Sequence, residues 1–521
     1  MRVRRPTPAG HGELLLEPSF DGWQRLAEEN RAAGRTWDVE IAGVPLAALR
    51  AEARRETLAE AAAYSRRLGV PVDDLHDSSG LVAVTGHQPE LYHPGVWVKC
   101  FLLQRFADQT GAAAVDIVVD SDAFDCVELT TPCLKPAVSR CGAVLAEGGA
   151  DICYSCTPVP SAAVVNGFRE AGLAALATLP APALPRHFGL FADAVAGSLA
   201  DSENLADVMT IARRRYEASA DTRYLELPVT RQARTSAFLR LVTHLALDAT
   251  RFAQVHNAEL ASYRARTGTR SAAQPFPDLR IEGDLVELPL WWVGDGRRRA
   301  VWARVSVPAI VVDGEVVAEL GTLAEEAHTA LLDAALPIAP KALTLTLFQR
   351  LFVADLFIHG VGGGRYDQAT DAVIASYLGI EPPHFVVASL TLYLPLGGHV
   401  VSDDEIASAE RRLNRLRHNP DQLLAEIEFD SVDERKRAMA LAQEKCDLVV
   451  AIADAGADKK AVGQRIRAVN EELAQLMAPL AVQAESDLEE LRAQRDASAV
   501  LTDRTYPYCL WDPREVADKV R

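Results

Sequence analysis

The segment Gly86-His-Gln-Pro-Glu-Leu-Tyr-His-Pro-Gly95 gathers two imidazoles, an amide and a carboxylate between two glycines. A short β-like run, residues 81–85, leads into it, and an apolar helix from about residue 96 to 106 leads out. A parallel α/β sheet holds its ligand outside the carboxyl ends of its strands, so a polar βα turn of this kind is positioned for chemistry. His87 and His93 are the candidate proton acceptors, because an imidazole titrates near neutral pH. Thr85, Gly86 and Gln88 are candidate substrate contacts, and Lys99, one turn into the helix, can neutralise a phosphate or carboxylate. The next strand, residues 114–119, runs into Asp120-Ser-Asp-Ala-Phe-Asp125. Asp120, Asp122 or Asp125 is a candidate to orient a histidine, to bind an ammonium or to share Mg²⁺ with a phosphate. The plainer alternative is that Asp and Ser here only cap the following element.

A second candidate rim lies far along the chain, where the apolar run 356–359 meets Gly360-Val-Gly-Gly-Gly-Arg-Tyr-Asp367 ahead of a helix over 368–378. Backbone N–H groups of a glycine-rich turn can approach an anion closely, which makes His359, Gly360, Gly362, Gly363 and Gly364 candidate anion binders. Arg365, Tyr366 and Asp367 are candidate substrate contacts beside them. The run is neither a Walker A loop nor GxGxxG, and glycines also serve plain tight turns. Arg264, Arg266 and Arg270 cluster in an otherwise acidic chain. Guanidinium forks suit carboxylate or phosphate ligands, which adds Arg264 and Arg270 to the candidates, against a solvated helix end complementing its dipole.

The elements that must position these residues fit a chain of 521 residues, 49% hydrophobic and 24% charged, long enough for roughly three domains. The formal charge of −18 argues against a nucleic-acid partner, since phosphate contact needs a field of Lys and Arg. No apolar core follows the basic start, and no uninterrupted apolar stretch has membrane length, so a cytoplasmic protein with no membrane partner is expected. Eight cysteines are too few for a disulfide scaffold. Cys133, Cys141, Cys153 and Cys156 could in principle close a zinc tetrahedron, but the first pair lacks tight ligand spacing, so reduced thiols are expected there.

The expected fold class is α/β: a Rossmann-like parallel sheet core with a long mixed insertion and a C-terminal α-helical coiled-coil arm. Residues 1–130 hold a lead-in, an Ala-, Glu- and Arg-rich helix over 46–68 and the first half of the core. Residues 131–340 are read as an insertion, 341–400 as the second half of the core, 401–497 as the arm and 498–521 as a β-like aromatic tail returning to the core. Val462, Ile466, Val469, Leu473, Leu476 and Leu480 follow the 4-3-4-3-4 spacing of a coiled-coil seam. Asn419-Pro420 and the cap at 430–433 divide the arm into antiparallel helices, and Pro479 kinks the last. A homodimer through this arm is the expected assembly.

The Thr85-Gly-His-Gln-Pro-Glu-Leu turn with Lys99, the Ser121-Asp-Ala-Phe-Asp-Cys-Val-Glu128 stretch, the His359-Gly-Val-Gly-Gly-Gly turn and the helical arm together resemble the bacillithiol-biosynthesis cysteine-adding enzymes. The likeness covers most of the chain in order of elements, through short motifs. It implies a carbon–nitrogen ligase that joins cysteine through an amide to the amine of a sugar malate, with ATP or ADP and Mg²⁺ as cofactors. That family has a Gly-Gln-Gln turn and a Gly-Gly-Pro-like segment where this chain has Gly86-His87-Gln88 and His93-Pro94-Gly95. His93-x-Gly95 is also similar to half of the His-x-Gly-His turn of nucleotidyltransferases, but Val96 stands where the second histidine would be. A nucleotidyltransferase-like enzyme acting on another small acid, and a non-catalytic assembly protein using the arm, are the competing expectations.

Overall fold

The computed structural model describes residues 7–72, 78–134, 138–269, 271, 276–397, 401–426, 429, 431–452 and 458–521. The chain is mixed α/β and divides into a body, residues 1–133, 140–394 and 504–521, and a second unit of residues 134–139 and 395–503.

The body is built on a sheet of strands β1 (Leu14–Glu17), β2 (Val82–His87), β3 (Ala113–Val118), β4 (Leu225–Pro228), β5 (Leu356–His359) and β6 (Val386–Leu390). Their spatial order is β1-β6-β5-β2-β3-β4; all neighbours are parallel except β1, which runs antiparallel to β6. From β2 the chain adds β3 and β4 to one side, then returns to place β5 and β6 on the other. The direction of growth thus reverses between β2 and β5. The edge strand β4 comes from the region expected as an insertion, and the lead-in supplies β1. The same region also forms a separate antiparallel sheet that includes Leu285–Trp292, Arg299–Arg304, Ala309–Val312 and Glu315–Glu319. One of its hairpins turns at Asp313-Gly314, where φ of 52° and 84° meets the left-handed demand of a primed turn.

Strand alternation decides what each face carries. Val82, Val84, Val115, Ile117, Leu225 and Leu227 are buried in one cluster with Leu46, Leu49 and Ala53 of helix α1 (Leu46–Arg67). On the opposite face Asp116 and Glu226, paired across β3 and β4, accept from Arg213 of helix α3 (Leu205–Glu217) at 2.9 and 2.8 Å. That face also takes α2 (Pro94–Thr110), whose Trp97 donates to Glu217 at 2.5 Å. At the other end of the strands, buried Asp355 accepts from Arg50 at 2.7 Å, Arg54 at 2.9 Å and the Val82 N–H at 2.9 Å. This clamps α1 to the starts of β2 and β5. Removing one partner of such a buried pair costs about 3–5 kcal/mol.

The tail is not a strand. Residues Tyr508–Leu510 form a 3₁₀ turn and Pro513–Val520 a short helix, and both belong to the body. The second unit contains helices α6 (Asp403–His418), α7 (Val432–Ala451), α8 (Lys459–Leu476) and α9 (Ala478–Leu501). Ion pairs Arg417–Glu485, Arg492–Glu410 and Arg495–Asp403 run in opposite directions along α6 and α9, as antiparallel packing requires. Val469 and Leu473 of the expected seam are buried against Ala438 and Leu441 of the same chain. Pro479 lies in the first turn of α9, after a break at Met477, so it starts a helix instead of kinking one. No helix among the described residues is long and apolar enough to cross a membrane.

Candidate functional site

The sequence places its two richest motifs at the ends of β2 and β5, and the fold makes those strands neighbours: Leu356 pairs with Ala83 and Phe357 with Val84. Thr85 fastens the two, its hydroxyl donating to the Ile358 carbonyl at 2.8 Å, so its role is to hold the strands together. Gly86 is required for a different reason. A Cβ there would lie 2.8 Å from the Ile117 carbonyl oxygen of β3. Its own carbonyl accepts from Lys99 Nζ at 2.8 Å, which brings the buried ammonium of α2 up to the strand end. Burial lowers the proton affinity of that ammonium, and Asp116 counters the effect.

His87 ends β2 as a strand residue. Its ring meets Tyr92 edge-on at 5.0 Å, and Nδ1 lies 3.6 Å from Glu90. Burial, reinforced by the Lys99 charge, pulls the imidazole down to about 3, so it is neutral at physiological pH. Glu90 moves the other way. Burial and the nearby Asp122 carboxylate push it up to about 7. Gln88 donates to Asp122 at 2.7 Å, and Asp122 also accepts from Arg298 at 2.6 Å. His93 is the N-cap of α2, with Nδ1 accepting from the Gly95 N–H at 3.0 Å. His93 therefore caps the helix through its side chain.

On the β5 side His359 is buried between Phe357 and Phe385. Its Nε2–H donates to Asp367 at 2.8 Å, and Arg350 donates to the same carboxylate oxygen at 2.6 Å. Burial alone would raise Asp367; Arg350 and His359 outweigh it and hold the carboxyl well below the ordinary carboxylate range. Burial also lowers His359, against the pull of Asp367. Asp367 thus orients the His359 ring from behind. The glycine run is the first turn of α5 (Val361–Leu378), with Gly360 as its cap at φ −78° and ψ 171°. The helix begins seven residues earlier than expected, at Val361 in place of residue 368. Added Cβ atoms at Gly360 and Gly362 would meet nothing within 4 Å, whereas one at Gly363 would lie 2.8 Å from His359 Nδ1. The first turn thus offers N–H groups to an anion with open space in front of two glycines.

Other expected residues stand apart. Asp120 is buried and accepts from the Thr230 N–H at 3.1 Å and from the Thr230 hydroxyl. Burial raises it to about 6 against those bonds, and it lines a separate cavity with Arg67, Asp207 and Arg234. Arg264 is engaged by Asp278 at 2.7 Å and by the Phe276 carbonyl at 2.5 Å. Arg365 offers its carbonyl to the Tyr263 hydroxyl at 3.2 Å, and the Tyr366 side chain is exposed. Arg270 falls outside the described residues. Of the four cysteines, Cys153 and Cys156 are joined as a disulfide, which corrects the expectation of reduced thiols there, whereas Cys133 and Cys141 are free thiols, as expected, and are hydrogen-bonded to each other. Among the described residues no group of three or more His, Cys, Asp or Glu could hold a metal ion.

Sequence reasoning missed Glu90, Tyr154, Arg298, Arg350 and Arg504. Glu90 was visible inside the first motif, and Tyr154 inside the Cys-x-x-Cys, but nothing local marks the arginines. Arg504 donates to Ser389 Oγ at 2.8 Å and to the Leu390 carbonyl at 2.9 Å. A Cβ at Gly95 would strike Arg504 and lie 2.7 Å from the Leu390 carbonyl oxygen, which explains a glycine in the first turn of α2. The Tyr508 N–H donates to the Tyr92 carbonyl at 2.8 Å beside His87. Next to the crevice, Gln88, Glu90, Phe124, Asp125, Glu128 and Tyr154 are among the residues lining a cavity of about 410 Å³. No protein-family model matches the chain, and no curated protein matches it.

Proposed function

We propose that this chain is an enzyme joining a small amine to a carboxyl compound through an amide, the carbon–nitrogen ligation that the family resemblance implies for cysteine and an amino-sugar acid, or a related ligation. The observation that carries the reading is the reversal of strand order between β2 and β5, with His87 ending one strand and His359 the other. Open parallel sheets bind ligands in the crevice at such a reversal, and a Rossmann-like core is the reading that accounts for it.

The roles follow from protonation and position. The first turn of α5 and the Lys99 ammonium favour the anionic carboxyl compound, or a phosphate, at the crevice. The open glycines Gly360 and Gly362 fit a phosphate there, and ATP, where bound, would supply carboxyl activation. An amine must lose a proton before it attacks. At about 3 His87 is too weak a base for that at neutral pH, so Glu90, at about 7, takes the proton while His87 hydrogen-bonds in its neutral form. Asp367 and Arg350 fix the His359 ring.

The test is incubation of the full chain with cysteine, the sugar malate or simpler amines, ATP and Mg²⁺, with mass spectrometry of amides and nucleotide products. An amide that disappears in Glu90→Gln and Lys99→Met supports the reading. Pyrophosphate release without an amide would favour the nucleotidyltransferase alternative. A second reading, assembly through the helical unit, rests on the exposure of Val432, Met439, Val450 and Val482 on its helices. It predicts a dimer in sedimentation that Val432→Lys with Val450→Lys dissociates.

A further inference from the structure

The cavity of about 410 Å³ beside the crevice has a one-sided chemistry. Glu90, Asp125 and Glu128 line it, and the lining, read from the described residues, contains no lysine, arginine or histidine. The guanidinium of Arg298 is engaged by Asp122 at 2.6 Å and stacks on Trp291 at 4.6 Å. Gln88 is likewise turned to Asp122.

The aromatic part of the wall is Phe124 and Tyr154, stacked with centroids 4.4 Å apart. Tyr154 supplies the independent observation. It is 1% exposed, lines the cavity, and its hydroxyl has no hydrogen-bond partner among the described residues. Among the described residues the hydroxyl is not one of the fully buried unpartnered atoms, so it opens on the cavity, where a ligand can complete it. The carboxylates are not gathered around one point, as the lack of any metal-holding group among the described residues also shows. Charges spread along an aromatic wall suit an organic cation with its nitrogens set apart.

We propose that this cavity binds a small cationic amine that carries no acid group, with the ammonium met by Glu90 and Glu128 and the carbon chain laid along Phe124 and Tyr154. The identification of this amine as the nucleophile rests on the ligase reading; the binding does not. A dicarboxylate such as a sugar malate would face three carboxylates and no cation in this cavity, so this chain departs from the resembling family in the amine it takes.

The experiment is calorimetric titration of the full chain with putrescine and with γ-aminobutyrate, which replaces one ammonium of the same carbon chain by a carboxylate. It is run at about pH 8, above the Glu90 value of about 7, where the carboxylates are ionised. Putrescine is expected to bind at least about tenfold more tightly than γ-aminobutyrate, the usual scale for one charged contact. Glu128→Gln and Tyr154→Phe, each checked for an unchanged thermal transition, should each weaken putrescine several-fold. Equal affinity for the two ligands, no binding of either, or variants that bind putrescine like the wild type would overturn the proposal. A chain that binds putrescine yet forms no amide from any amine keeps this inference and loses the ligase reading. One that ligates the sugar malate as readily as putrescine does the reverse.

Discussion

Replacing Asp367 with asparagine keeps the shape of a side chain that holds two buried partners and removes only its charge. In the wild type Arg350 reaches Asp367 at 2.6 Å and His359 at 2.8 Å, with side-chain exposures of 1%, 2% and 7% for Arg350, Asp367 and His359. Breaking a buried pair by removing one partner costs about 3–5 kcal/mol. Arg350 keeps Asp371 at 2.6 Å, which places the loss at the lower end, about 3 kcal/mol. For a body of this size that lowers the thermal midpoint by about 3–6 °C. The dependence on pH has a definite sign. A carboxyl held below its unfolded value of 3.8 contributes stability that is fully present above 3.8 and is lost as pH falls through the folded value. The asparagine variant has no such loss, so the gap between the two proteins should narrow below about pH 3.8. Thermal denaturation followed by tryptophan fluorescence, at neutral pH and across the acid range, measures both effects. A neutral-pH loss under about 1 kcal/mol, or a gap that stays constant into acid, would refute the account in which a charged Asp367 fixes the His359 ring.

His93→Ala should cost about 1 kcal/mol, the worth of a helix N-cap, while leaving turnover within a few-fold of wild type; a turnover collapse at unchanged melting temperature would restore His93 to the chemistry. Gly95→Ala should lose about 1–3 kcal/mol by overpacking against Arg504 and the Leu390 carbonyl, read as a drop in melting temperature that Arg504→Ala partly relieves. Amide formation should rise with pH around the Glu90 value of about 7, since the carboxylate is the form that accepts a proton. In Glu90→Gln the remaining rate should lose that inflection, and a persisting one would assign it elsewhere.

The first motif was readable because its signals agree: an apolar strand, a polar turn, Pro94 at the start of a helix and apolar spacing beyond. What it faces was not. β2 and β5 pair across some 270 residues of sequence, and nothing local announces that pairing. The edge strand Leu225–Pro228 escaped notice because it is short and carries a buried glutamate, which breaks the apolar run expected of a parallel strand. The glycine run read as a loop because glycine disfavours helix interiors by about 1 kcal/mol each, yet here it opens one. Aromatic content suggested a strand in the tail, but Pro507 and Pro513 bracket a turn instead. Asp313-Gly314 was a legible hairpin signal that apolar periodicity alone passes over. The disulfide depended on a Cα separation of 5.1 Å that the 3₁₀ turn at Tyr154–Cys156 sets and the spacing does not.

The contacts of Arg504 with β6 and of Tyr508 with Tyr92 set an order of events during synthesis. The strands, α2 and the first turn of α5 all leave the ribosome before residues 395–503, and the segment that buttresses Gly95 and Tyr92 leaves after them. Until that segment arrives, the crevice is an unfinished rim on a nascent chain. The sheet can collapse early, but the bracing of Gly95 and Tyr92 waits for residues made after position 503. A chain stalled before residue 504 would therefore keep its sheet while lacking the contacts that brace the start of α2.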